Sequence, residues 1–216
     1  MKKNFTILFQ GDSITDVCRN RDEQNKPNSS GGGLGFGYPL LVSARLRADR
    51  PEVDFQCFDR GISGNRVVDL YARWKCDCLN MKPDLVSILI GVNDTWHEFN
   101  WQNGVEVPRY ETIYRMLLQW TKEVLPETKI VLIEPFVLPF GAVAPEWLPE
   151  VEQRREIVAK LAKEFGCTLI PFQRILNENL KRAPQEYWLV DGVHPTPAGH
   201  QLLADAWIQY TKELLR

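Results

Sequence analysis

The chain has 216 residues, 44% of them hydrophobic and 25% charged, with a formal net charge of −2. Those are ordinary globular values, and the length suits one domain over residues 1–216 whose core needs no staples. Near-neutrality without a basic stripe argues against a nucleic-acid partner and against steering toward any strongly charged one.

Met1, Lys2, Lys3 and Asn4 precede only a short apolar run, 5–9, too short and wrongly flanked for a signal peptide or a membrane span. The five cysteines, Cys18, Cys57, Cys76, Cys78 and Cys167, are odd in number. Without a leader, that fits reduced thiols and a cytoplasmic protein better than a disulfide framework. Cys76 and Cys78 lack a second Cys/His pair at zinc-finger spacing, so a metal site there is not expected; no cofactor is expected either.

The 5–9 run stops at Gly11, and Ser13 follows within two residues. This is the pattern of a buried strand running into a tight turn, with the serine at the strand's carboxyl end. Gly11-Asp12-Ser13 alone also suits a plain solvated turn. Residues 18–37, rich in Asn, Gly, Ser and charge, read as a mobile loop that either lines a cleft or strays over the surface. Residues 38–48 read as a helix, broken by Pro51, and 53–58 as the second strand. Asp59-Arg60-Gly61-Ile62-Ser63-Gly64-Asn65 is another strand running into a glycine turn, followed by a helix over 67–79. Gly64 leaves a backbone N–H open to close approach.

Residues 85–90, almost wholly apolar, suit a third strand buried on both faces. It ends in the polar turn Gly91-Val92-Asn93-Asp94-Thr95-Trp96, and 96–107 read as a second long loop carrying Trp96, His97, Phe99 and Trp101. A helix over 110–125, a fourth strand over 129–133 and a loop over 134–149 bearing Phe136, Phe140 and Trp147 come next. A helix over 151–165, a fifth strand over 167–172 and a short helix over 175–180 follow. Asp191 and His194 then arrive on a loop, and Thr196 with Pro197 starts a last helix over 198–215. Strands alternating with helices, with neither repeat nor linker, predict an α/β domain with a five-stranded parallel sheet covered on both faces.

A parallel sheet gathers its carboxyl ends on one edge, so Ser13, Gly64 and Asn93 should converge there, with Asp191 and His194 joining from the fifth-strand side. Acyl transfer needs a nucleophile, a base, a group that orients the base, and donors for the oxyanion. Ser13 fits the first role, His194 the second and Asp191 the third. The N–H groups of Ser13 and Gly64 and the Asn93 amide fit the last. Among the three histidines, only His194 has a carboxylate three residues before it in a loop bounded by Gly and Pro. His97 could touch substrate or simply lie on the surface, and His200 suits a packing or surface role on the last helix.

Gly11-Asp12-Ser13-Ile14-Thr15, Gly64 within Gly61-Ile62-Ser63-Gly64-Asn65, Gly91-Val92-Asn93-Asp94, and Asp191-Gly192-Val193-His194-Pro195 resemble, in order, the four sequence blocks of the GDSL/SGNH hydrolases. The resemblance spans nearly the whole chain and departs at none of these positions. It implies a three-layer, flavodoxin-like α/β/α sandwich and a metal-free triad of Ser13, His194 and Asp191. The oxyanion donors it implies are Ser13, Gly64 and Asn93. Gly61-Ile62-Ser63-Gly64-Asn65, Ile90-Gly91-Val92-Asn93-Asp94-Thr95-Trp96, Glu134-Pro135-Phe136 and Val193-His194-Pro195 look closest to the intracellular acetylxylan esterases of bacteria, which deacetylate xylo-oligosaccharides.

On that reading the partner is a small-molecule or oligosaccharide ester, with neither membrane nor nucleic acid. Asp12, Trp96, His97, Trp101 and Phe136 become candidate substrate contacts, although each aromatic could equally pack over the core's rim. Exposed aromatic loops are also compatible with a homo-oligomer. The alternatives are a lipase, thioesterase or lysophospholipase on the same fold, or a non-catalytic carbohydrate-binding protein.

Overall fold

Strand β1, Lys3–Gly11, places Phe5, Ile7 and Phe9 on one face of a sheet and Leu8 on the other, as the two-residue period of a strand requires. The computed structural model describes residues 3–215. The other strands are β2 (Val53–Asp59), β3 (Leu85–Leu89), β4 (Lys129–Ile133) and β5 (Thr168–Ile170). All pair in parallel in the order β2-β1-β3-β4-β5. β3 and β4 are apolar on both faces because both are covered.

The helices are α1 (Ser13–Asp16), α2 (Tyr38–Asp49), α3 (Val67–Asp77), α4 (Val92–Trp101), α5 (Val107–Val124), α6 (Trp147–Phe165), α7 (Phe172–Asn179), α8 (Gln185–Trp188) and α9 (Pro197–Thr211). α2 and α9 cover the sheet face that carries Phe9, while α3, α5 and most of α6 cover the face that carries Leu8. The result is the three-layer α/β architecture expected from the sequence. Two buried tryptophans keep their N–H groups satisfied: Trp207 donates to Ser87 Oγ and Trp74 to Thr121 Oγ1, each at 2.9 Å.

Three expectations fail. Residues 96–107 are not one long loop, because α4 runs from Val92 to Trp101 and the connection to α5 is short. The stretch reads as a turn because Gly91, Asn93, Asp94 and Thr95 are weak helix formers. The helix forms because its first turn is held from outside. Asp94 accepts from the Val67 N–H through both oxygens, at 3.0 and 3.2 Å, and Thr95 accepts from Arg154 Nε at 2.9 Å. Residues 18–37 are likewise not loose. Asn20 N–H donates to Gly32 O (2.8 Å), Asn28 N–H to Cys57 O (2.9 Å) and Phe36 N–H to Val17 O (3.0 Å), with Ser29 and Leu34 buried. The short α8 also forms where no helix was expected.

The order of the sheet fixes where a site can lie. β1 and β3 are neighbours from which the chain leaves in opposite directions, to β2 on one side and β4 on the other. That is the switch point where parallel sheets open a crevice at their carboxyl ends. Ser13 follows β1 and Asn93 follows β3, so both stand at its mouth.

Candidate active site

Gly11 ends β1 where a side chain could not fit, since a Cβ there would meet Thr15 Oγ1 at 2.3 Å and the Leu89 carbonyl at 2.5 Å. The chain turns at once into α1, with Ser13 as its first residue and the Asp12 carboxylate accepting from Ile14 N–H at 3.0 Å. Ser13 Oγ lies 2.9 Å from His194 Nε2. His194 Nδ1 lies 2.8 Å from Asp191 Oδ2, and the other oxygen, Oδ1, accepts from the N–H groups of Val193 (3.0 Å) and His194 (2.8 Å). Burial works to raise the Asp191 pKa, but these bonds outweigh it and hold the carboxyl below its usual value. An ionised Asp191 favours the tautomer with hydrogen on Nδ1, which leaves the Nε2 lone pair facing the serine. The structure therefore brings Ser13, His194 and Asp191 into one continuous chain of hydrogen bonds.

Gly64 and Asn93 are tied to the same place. Asp16, at the end of α1, accepts from both the N–H and the hydroxyl of Ser63, each at 2.9 Å, fixing the glycine turn against the helix that begins with Ser13. Gly64 has φ +82°, a left-handed conformation that glycine adopts without strain. The Asn93 amide spends one N–H on the Asn65 carbonyl at 3.1 Å, and an amide nitrogen carries two.

The candidate contacts divide. Trp96 is half-buried, with its ring centroid 5.7 Å from that of His194 and 5.2 Å from that of Trp147. His97 is half-buried beside Gly64, and Trp101, 63% exposed, stands edge-to-face with it at 4.8 Å. Asp12 and Phe136 do not fit the expectation. Asp12 is only 1% exposed, a helix cap beside Ser13, and burial pushes its carboxyl up to about 7. Phe136 is fully buried against Phe172, 4.7 Å between centroids. Trp147 is buried too, at the start of α6.

Sequence reasoning missed the supports. Arg154 is fully buried on α6 and donates to Thr95 Oγ1 (2.9 Å), Val105 O (2.8 Å) and Glu150 Oε2 (3.0 Å), while its guanidinium lies 5.2 Å from the Tyr110 ring centroid. Its only signal was Glu150 four residues earlier, which reads as an exposed helix pair. His200 is also buried and accepts the Tyr38 N–H on Nδ1 at 3.3 Å.

A family model described as GDSL-like lipase/acylhydrolase matches residues 9–202. An acetylxylan esterase from Geobacillus stearothermophilus is 37% identical over 207 residues, 94% of this chain and 92% of that protein. Among solved structures, that organism's Axe2, an acetylxylan esterase, superposes with a TM-score of 0.86 at 35% identity, covering 97% of this chain and 96% of its own. A protein from Parabacteroides merdae named as a GDSL-like lipase superposes with a TM-score of 0.93 at 43% identity, covering 98% and 97% of the two chains. Structures of Axe2 described as catalytic mutants replace a serine, an aspartate and a histidine.

Proposed function

Because the chain belongs to the GDSL-like lipase/acylhydrolase family and is a carboxylic-ester hydrolase, we propose that it removes O-acetyl groups from acetylated sugars, xylo-oligosaccharides first among them. The observation that carries this reading is the hydrogen-bonded line from Ser13 Oγ through His194 to Asp191, at 2.9 and 2.8 Å. In the first step Ser13 Oγ attacks the acetyl carbonyl carbon while its proton passes to His194 Nε2. The N–H groups of Ser13 and Gly64 and the second N–H of the Asn93 amide receive the oxyanion. The intermediate collapses as Nε2 returns the proton to the departing sugar oxygen, leaving Ser13 acetylated. A water molecule, deprotonated by Nε2, then attacks that ester, and acetate leaves as Nε2 returns the proton to Ser13 Oγ.

Asp191 keeps the imidazole oriented and stabilises its protonated form during each transfer. The sugar part of the proposal is supported by the acetylxylan esterase relatives and by the aromatic rings around the site. The five cysteines carry no disulfide, which agrees with a cytoplasmic setting, and among the described residues no helix is long and apolar enough to cross a membrane.

The deciding experiment measures acetate release from acetylated xylo-oligosaccharides beside hydrolysis of p-nitrophenyl acetate and of a long-chain ester, with Ser13→Ala as control. We expect release from the sugar that the substitution abolishes while the fold stays intact. A strong preference for the long-chain ester would refute the sugar assignment, and undiminished turnover in Ser13→Ala would refute the mechanism.

A further inference from the structure

The helix that carries Asn93 also carries His97 and Trp101, four and eight residues later. Those spacings keep the three side chains near one face of α4. With 1.5 Å of rise per residue, the stripe leads about 12 Å outward from the oxyanion position. His97 lies beside Gly64, where a Cβ would stand 4.0 Å from its Cε1. Trp101, 63% exposed, packs on His97 at a centroid distance of 4.8 Å.

The polar surroundings of this stripe are already paired. Arg66 is engaged by Asp69 at 2.9 Å and by the Asn103 carbonyl and side-chain oxygens at 2.6 and 3.0 Å. The ring nitrogens of His97 make no hydrogen bond to any described residue, and burial, with the Arg66 charge adding to it, holds its pKa below the usual value. The stripe thus offers an apolar aromatic surface and an uncharged donor and acceptor, but no unpaired cation. That chemistry suits a neutral polyhydroxylated ring, whose C–H groups lie on the aromatic and whose hydroxyls meet the imidazole, and it does not suit a phosphate or a carboxylate.

The geometry points to His97 and Trp101 as the sugar-binding shelf of the active site, with Trp101 supporting a pyranose ring of the acetylated substrate. This rests on the sugar-ester reading above and adds the residues that select it. A shelf of this kind leaves the acyl chemistry to Ser13, Asn93 and Gly64, and discriminates between alcohols rather than between acids. Its effect falls on the capture of sugar esters, so it enters kcat/KM chiefly through KM.

The test compares wild type, Trp101→Ala and Trp101→Phe on acetylated xylo-oligosaccharide and on p-nitrophenyl acetate, reading the ratio of the two kcat/KM values. That ratio should fall about three- to tenfold in Trp101→Ala, with the loss in KM, and recover in part in Trp101→Phe. Since every variant is also assayed on the small ester, misfolding registers as a common loss that leaves the ratio unmoved. A wild type active on the sugar with a Trp101→Ala ratio within twofold of its own would overturn the shelf alone. A wild type that releases no acetate from the sugar would overturn the substrate reading and the shelf together.

Discussion

His200 makes a sharp prediction about acid stability. It lies on α9, 6% exposed, with Nδ1 accepting the Tyr38 N–H at 3.3 Å. Tyr38 in turn holds Thr15, on the helix α1 that begins with Ser13, through a 3.2 Å bond between their hydroxyls. Protonation would turn that acceptor into a donor facing a donor. Burial, and secondarily the nearby His194, lower the His200 pKa from 6.5 to about 4. Because the folded state binds the proton more weakly than the unfolded state, the contribution to stability is complete above pH 6.5 and is lost as pH falls toward 4. At pH 4.5 the two pKa values leave a loss on the order of 2–3 kcal/mol. In His200→Asn a neutral amide oxygen can take the place of Nδ1 and does not titrate. Urea unfolding of both proteins at pH 7.5 and pH 4.5 isolates the term, since Asp12, Asp94 and the other carboxyls titrate in both and cancel in the difference. The wild type should lose about 2–3 kcal/mol more than the variant over that interval. Parallel losses would refute the reasoning.

Two further predictions concern the donors and their support. Asn93→Ala should lower kcat by about 10²–10³ if the amide stabilises the oxyanion, and a near-wild-type rate in steady-state assays would remove it from that role. Arg154→Met leaves the buried Asp94 carboxyl, already pushed up to about 7 by burial, without the nearby cation that opposes the shift. It should cost about 3–5 kcal/mol in urea unfolding at neutral pH, and a change under 1 kcal/mol would show that the guanidinium is dispensable.

β1, β3 and β4 were legible as short apolar runs closed by a glycine or proline, with burial on both faces leaving little room for another pattern, whereas the edge strand β2 shows the alternation of a half-buried strand. Ser13, Gly64, Asn93, Asp191 and His194 were legible for a related reason. Ser13 and Asn93 begin helices just after strand-ending glycines, and Gly64, Asp191 and His194 lie in loops, where residue types are set by local backbone geometry, such as the positive φ at Gly64 and the crowding at Gly11. What local sequence obscured was α4, whose first turn is polar and poor in helix formers. Likewise Phe136 looked like a loop aromatic in a Pro-rich stretch but fills the core against Phe172, and Asp12 read as a candidate substrate contact but caps α1 from beneath.

The supports escaped notice because they act across the chain rather than along it. Arg154 reaches Thr95 over 59 residues and Asp94 reaches Val67 over 27, so neither partner is marked by a neighbouring residue. Yet these bonds set the relation between the two strand ends that carry the proposed oxyanion donors. Asp94 fastens the start of α4 to the start of α3, three residues beyond Gly64, and Asn93 itself bonds Asn65. Arg154 then anchors the first turn of α4 to α6 and to the Val105 carbonyl. A shift of α4 would move Asn93 away from Gly64, while Ser13, His194 and Asp191 keep their mutual bonds on other elements and meet α4 only where Trp96 packs on the His194 ring. Damage to this buried network should therefore appear as lost stabilisation of the oxyanion while the line of hydrogen bonds from serine to aspartate persists.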